Sequence, residues 1–155
     1  HSTPLQHVKL HGALYMEAAV NEELSQMLVD TLQTTSPDAL LFCMSVSKTY
    51  AAAKRAGHPV IREFYADRDY GNSGSIVFTR QVARPDPQQI AEKCVKACKT
   101  GMVTTVEGDE IEIPFDSICF HSDTPGALAM GQAIRAGLQD AGIRIASAAE
   151  VAKAL

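Results

Sequence analysis

The sequence lacks several things that would announce a function. It has no excess of basic residues: Lys plus Arg number 14 against 18 Asp plus Glu, a formal charge of −4. That balance gives no electrostatic case for nucleic acid or for an anionic membrane surface. It has no apolar run near the roughly 18 residues that a membrane span requires. Its four cysteines, Cys43, Cys94, Cys98 and Cys119, form no CxxC and no paired zinc-knuckle spacing. Residues 1–12 contain no apolar segment of the secretory type, and reduced thiols fit a cytoplasmic protein. Cytoplasmic location is therefore the expectation. Internal repeats, low-complexity tracts and linkers are also missing. What remains is 155 residues, 46% hydrophobic and 21% charged, the profile of one globular domain able to bury a core.

Short apolar runs alternate with helical patterns. Residues 8–10, 39–44, 60–65 and 117–120 read as strands, and residues 143–145 as a last short one. Asn21 is an expected N-cap, followed by Leu24, Met27, Leu28, Thr31 and Leu32 at helical spacing. A second helix is expected over 47–56, closed by Gly57. Asp86-Pro87 and Gln89 form an expected capping box for a helix reaching about Thr100. Residues 102–114 alternate around Gly108, which predicts a hairpin. Thr124-Pro125 is expected to open a helix with apolar positions Ala127, Met130, Ile134, Leu138 and Ala141. Ser147 and Glu150 suggest a capping box for a C-terminal helix. Residues 67–85 read as a long functional loop, broken only by Ile76-Val77-Phe78. Cys94 and Cys98 would share a helix face with Ile90 and Ala97, which reads first as buried structural thiols and second as a metal or redox pair.

Strands separated by helices imply a parallel sheet, and near-continuous apolar strands imply burial on both faces. The fold class is α/β. Chemistry in such folds gathers where strands end at their C-terminal side. Three strand ends here are polar. The first carries Lys9 and His11 on one face. The second runs from Glu63 to Tyr70 (EFYADRDY), where the strand gives way to a charged loop with Asp67, Arg68, Asp69 and Tyr70. The third carries Cys119 and His121, with Asp123 and Thr124 at an expected helix N-terminus, suited to an anion. Each also has a plain structural reading: a solvated lysine, a packed histidine, a loop ion-pair network, a pair of helix caps. The coincidence of three such ends favours an active or binding site.

These same residues carry a resemblance. The stretches VKLHGALY (8–15), ADRDY (66–70) and HSDTPGA (121–127) resemble, in order and spacing, the motifs of the LamB/YcsF family, the lactam-utilisation family also described as the A subunit of 5-oxoprolinase. The resemblance covers essentially the whole chain. It implies a distorted (β/α) barrel of the glycoside hydrolase/deacetylase-like kind. It also implies ATP-dependent opening of 5-oxoproline to glutamate, with 5-oxoprolinase subunits B and C as partners. Leu10 stands where the family motif has Pro, and Ser122 where it has Gly; both neighbour the polar residues rather than replace them. The family's opening Asp-Leu-Asn-Cys-Asp-like strand and its two following motifs are not among these residues. Against the roughly 250 residues of a complete barrel, the expectation is one incomplete domain over 1–155. Such a domain would lack the first strands and be inactive alone, needing a partner chain or a homo-oligomeric contact over its open edges.

On that reading Lys9 and Arg68 suit anionic groups, Arg68 as the better bidentate donor. Asp67 or Asp123 suits the general base, and His11 or His121 suits proton transfer near neutral pH. Tyr15, Tyr70 and Thr124 are expected to bind or line the substrate. No residue is assigned to a metal. The sequence has no GxxxxGK[ST] loop, so ATP is expected to be handled with the partner subunits. Two other readings stand beside this one. A metal-dependent deacetylase-type hydrolase would draw on His11, His121 and Asp123, although no HxxxH or HExxH spacing is present. A non-catalytic reading makes the chain an assembly surface.

Overall fold

The computed structural model describes residues 5–77, 79 and 83–155. Its central element is a sheet of order β1-β2-β3-β6, made of β1 (His7–Val8), β2 (Leu40–Cys43), β3 (Val60–Tyr65) and β6 (Ser117–Cys119). β1 pairs parallel with β2 through His7–Leu40 and Val8–Leu41. β2 pairs parallel with β3 through Leu41–Val60, Phe42–Ile61 and Cys43–Arg62. The Asp116 N–H donates to the Arg62 carbonyl and the Ala66 N–H to the Cys119 carbonyl, so β6 runs in the same direction as β3. The expected α/β class with a parallel sheet is what the chain forms.

The chain forms two compact units, and the division falls inside β3 and β6. The first comprises His1–Glu63, Phe115–Ser117 and Ser147–Leu155; the second comprises Phe64–Pro114 and Ile118–Ala146. In the first unit, α1 (Gly12–Val20), α2 (Glu22–Thr35) and α3 (Lys48–Ala56) accompany β1 and β2. Val29, Leu32, Leu41, Ala52 and Ala53 form its buried cluster, with Val8, Leu28, Ala56 and Val60 packed against it. The Ser25 hydroxyl donates to the Ala18 carbonyl at 2.6 Å and lies 3.1 Å from the Thr49 hydroxyl, tying the three helices together. α2 begins as its sequence predicts, the Asn21 side chain accepting from the Leu24 N–H. α3 is capped by Ser47, whose Oγ accepts from the Tyr50 N–H and donates to the Met44 carbonyl. Ser47 is buried. Replacing Ser47 with Ala should therefore cost about 1–2 kcal/mol of stability, read from urea unfolding; an unchanged midpoint would refute the cap's importance.

In the second unit, α4 (Pro87–Thr100) and α5 (Ala127–Asp140) pack face to face, beside the hairpin β4 (Met102–Thr104) and β5 (Glu110–Glu112). Small residues permit the close approach: a Cβ built on Gly137 would lie 3.3 Å from the Ala91 Cβ. Cys94 and Ala97 are buried on the same helix, and burial pushes the Cys94 thiol up to about 12. Among the described residues none of the four cysteines forms a disulfide, and Cys94 packs as an inert thiol.

Four local expectations are corrected. β1 ends at Val8, so Lys9 lies just beyond the strand. α1 is a helix that the sequence pattern does not announce. α5 begins at Ala127, with Gly126 as its N-cap in the left-handed region, so Asp123 and Thr124 form a preceding turn rather than the helix entry. Residues 143–145 are not a strand: the Ile143 N–H is bonded back to the Leu138 carbonyl at the end of α5. Asp86 caps α4 by accepting from the Gln88 N–H. Of the apolar stretch at 76–78, Ile76 bridges to Tyr70, while Phe78 lies outside the described residues. No described helix is long and apolar enough to cross a membrane.

Candidate active site

β3 delivers its polar residues in order along the chain, and the two units each hold a cluster.

In the first unit, Glu63 is directed into the protein, its side chain only 2% exposed. A carboxylate so placed needs partners. The Lys9 Nζ donates to its Oε1 at 2.6 Å, and the Tyr15 hydroxyl donates to its Oε2 at 3.3 Å. The Lys9 ammonium also lies 5.8 Å from the Tyr15 ring centroid. The expected site residues Lys9 and Tyr15 are thus brought together by Glu63, which opens the second polar strand end in the sequence but is not among the expected site residues. Glu63 also helps burial raise the Cys43 thiol to about 12, burial being the larger cause. His11 stands apart: it is the N-cap residue of α1, without a side-chain cap bond, and is exposed.

In the second unit, β3 ends and the chain turns at Ala66-Asp67-Arg68. The Asp67 carboxylate is fully buried, its side chain 0% exposed. It accepts from the Thr124 hydroxyl at 2.6 Å and from the His121 N–H at 3.0 Å. It also meets the His121 Nδ1 at 3.0 Å. Arg68 Nη1 donates to its Oδ2 at 2.9 Å and to Thr124 Oγ1 at 3.3 Å. Burial pushes the Asp67 carboxyl up. The hydrogen bonds from Thr124 and His121 and the nearby imidazole together outweigh it, and hold the group below the ordinary 3.8.

The contact between Nδ1 and the carboxylate sets the tautomer. An ionised carboxylate only accepts, so Nδ1 of His121 carries the proton and the other ring nitrogen, Nε2, is the basic one. The His121 side chain is 32% exposed and stacks on Tyr65 with centroids 5.7 Å apart. A buried carboxylate behind a half-exposed imidazole is an arrangement that can orient a histidine for proton transfer.

The remaining expected residues differ. Thr124 is buried and belongs to the cluster. Asp123 is exposed and has no part in the Asp67 bonds. Tyr70 does not present itself to solvent: it is 1% exposed, stacks on Phe64, and its hydroxyl accepts from the Tyr65 N–H at 2.7 Å. It holds up the strand end from beneath. Among the described residues no three His, Cys, Asp or Glu side chains gather as a metal-holding group.

The lowered Asp67 value has a consequence for acid stability. A carboxyl whose folded value is depressed adds stability above its unfolded value, and that stability is lost as pH falls through the folded one. Wild-type stability should therefore fall on acidification below about pH 4. Asp67→Asn should flatten that part of the curve, measured by urea unfolding across the acid range; identical slopes would contradict the assignment.

An α/β protein with a parallel sheet and a buried carboxylate–imidazole pair at a strand end is the class that this geometry defines. The LamB/YcsF family profile matches residues 1–153, and the chain belongs to that family. It is 57% identical over 141 residues to the 5-oxoprolinase A-subunit 1 of Pseudomonas aeruginosa, covering 91% of this chain and 56% of that protein. It is 38% identical over 154 residues to the 5-oxoprolinase A-subunit of Coprothermobacter proteolyticus, covering 98% of this chain and 59% of that protein. Among solved structures it resembles a lactam utilization protein from Thermus thermophilus. The TM-score is 0.83 and the identity 28%, over 92% of this chain and 57% of that one. The chain thus spans a little over half the length of the relatives it matches.

Proposed function

We propose that this chain carries the lactam-opening chemistry of an ATP-dependent 5-oxoprolinase, hydrolysing 5-oxoproline to glutamate as the A subunit beside subunits B and C. The observation that carries the reading is the Asp67–His121 pair, in a chain whose relatives bear the name of the 5-oxoprolinase A subunit. A lactam is a stabilised amide, and water does not open it unaided at a useful rate. ATP would supply the activation by phosphorylating the amide oxygen. With no Gly-rich phosphate loop in the sequence, the ATP is assigned to the partner subunits. In this chain His121 Nε2 would take a proton from the water that adds to the activated ring carbon. The ring C–N bond then breaks, and the imidazolium returns the proton to the leaving nitrogen. A second water releases the phosphate from the resulting acyl phosphate to give glutamate. Throughout, Asp67 holds the imidazole in the reactive tautomer and stabilises the imidazolium that forms. Thr124 and Arg68 fix the carboxylate, and Arg68 adds positive charge for an anionic substrate group.

The test uses the complete protein assembled with its partners and assays glutamate release from 5-oxoproline. His121→Ala should lower kcat by about 10²- to 10⁴-fold. Asp123→Ala, a change at an exposed residue outside the pair, should stay within about 3-fold of wild type, by the same reasoning that only positioned groups contribute. The reverse pattern would transfer the base to Asp123.

A further inference from the structure

Lys93 sits in the middle of α4, far in sequence from the three polar strand ends. Its ammonium donates to the Arg68 carbonyl at 2.5 Å and to the Ala66 carbonyl at 3.2 Å. Those two carbonyls flank Asp67 in the chain. The Nζ also lies 5.6 Å from the Phe64 ring centroid and 5.4 Å from that of Tyr70. One cation therefore grips both ends of the turn that presents Asp67 and Arg68, and itself lies beside the stacked Phe64–Tyr70 pair.

A lysine spanning two main-chain carbonyls is an unusual use of the residue. Two neutral carbonyls do not balance its charge, and burial pulls its pKa down, opposed by the nearby Asp69, Cys94 and Asp67. Desolvating a cation costs free energy, and the cation–π contacts offset only part of that. A surface lysine on the same helix, Lys96, instead pairs with Glu110 in solvent. The carbonyls at a strand's end have lost their ladder partners and would otherwise be met by water or a backbone bond. A fixed cation there sets the direction of the turn, and hence the aim of the carboxylate between the two carbonyls.

We propose that Lys93 is a positioning residue for the Asp67–His121 pair, acting through the Ala66 and Arg68 carbonyls rather than by touching substrate. The role rests on the reading of that pair as the reacting centre, and the geometry of the turn can be tested apart from it. Without the ammonium, the turn relaxes, the His121 N–H loses its aligned acceptor, and the imidazole is no longer held in one tautomer.

Three variants of the complete protein separate the outcomes: Lys93→Met, which keeps the length and removes the donors; Lys93→Arg, which returns a cation; and Lys96→Met, the solvent-side control. In the assembled enzyme Lys93→Met should lower kcat for 5-oxoproline about 10- to 100-fold, the scale of a misplacement near 1 Å. KM should change by less than about 3-fold, as expected when transition-state rather than ground-state contacts are lost. Lys93→Arg should recover most of the loss, and Lys96→Met should match wild type. Independently of activity, amide hydrogen exchange at His121 should speed up at least about 10-fold in Lys93→Met, while the amides of Met130 and Ile134 in α5 keep their rates, the mark of local rather than global opening. The proposal is overturned if kcat and His121 exchange are both unchanged. It is equally overturned if all amides accelerate together and Lys93→Arg rescues nothing, which would make Lys93 a packing residue only. If the wild-type assembly releases no glutamate, the functional reading falls, and the exchange measurement alone decides the positioning role.

Discussion

Asp67→Asn is expected to lower kcat for 5-oxoproline opening by about 10³- to 10⁴-fold while leaving the fold intact, as replacing the orienting carboxylate does in serine hydrolases. The size follows from what Asp67 does. Its carboxylate is completely buried and is engaged by the His121 imidazole, the His121 N–H, the Thr124 hydroxyl and Arg68. Asn is nearly the same shape, so Thr124 and the His121 N–H still find an acceptor oxygen. Its amide nitrogen, however, is a donor. Turned toward Nδ1, it favours the tautomer with the proton on Nε2, which can no longer accept from water. It also removes the negative charge that stabilises the imidazolium. Measurement of kcat and KM on the assembled enzyme, with circular dichroism to confirm folding, reads the effect. A loss under about 10-fold would show that His121 acts without the carboxylate's help.

Glu63→Ala should be the most destabilising substitution in the first unit's polar cluster, at about 3–5 kcal/mol. Removal of the carboxylate leaves the Lys9 ammonium, only 16% exposed, without its 2.6 Å partner, and takes the acceptor from the Tyr15 hydroxyl. A desolvated charge that loses its counter-charge costs more than the ion pair contributed. The double substitution Lys9→Met with Glu63→Leu should recover most of that loss, because two apolar groups need no partner. Urea unfolding of the two single variants and the double variant gives the coupling energy directly. Additive effects would mean that the pair is not coupled, and the account of Glu63 as the anchor of Lys9 would fail.

Much of this molecule is legible from local chemistry. β3 runs from Val60 to Tyr65 as its apolar run indicates, α2 starts at its Asn21 cap, and the hairpin turns at Gly108. α1 is hidden for physical reasons. It starts from Gly12 in the left-handed region, His11 gives it no side-chain cap, and its residues are apolar on nearly every side, so no helical period stands out. Asp67, Arg68, His121 and Thr124 are legible as candidates because three polar strand ends coincide, although each residue alone has a plain structural reading. Glu63 is visible as part of the second polar strand end, but its role is not, because its partners Lys9 and Tyr15 lie 54 and 48 residues away. In a parallel sheet both sides are covered, and the carboxylate is turned inward to Lys9. Tyr70 misleads for the opposite reason: it neighbours the motif in sequence but is buried beneath it. Lys93 has no local signal, because its partners are main-chain carbonyls 25 and 27 residues away.

The central claim is that a half-exposed imidazole, oriented by a buried carboxylate, opens the 5-oxoproline ring. Glutamate release by the complete protein with subunits B and C, followed with and without ATP, tests it most directly. The account predicts release that requires ATP and is lost in His121→Ala. No release in the presence of ATP, or release at the wild-type rate from His121→Ala, would contradict it.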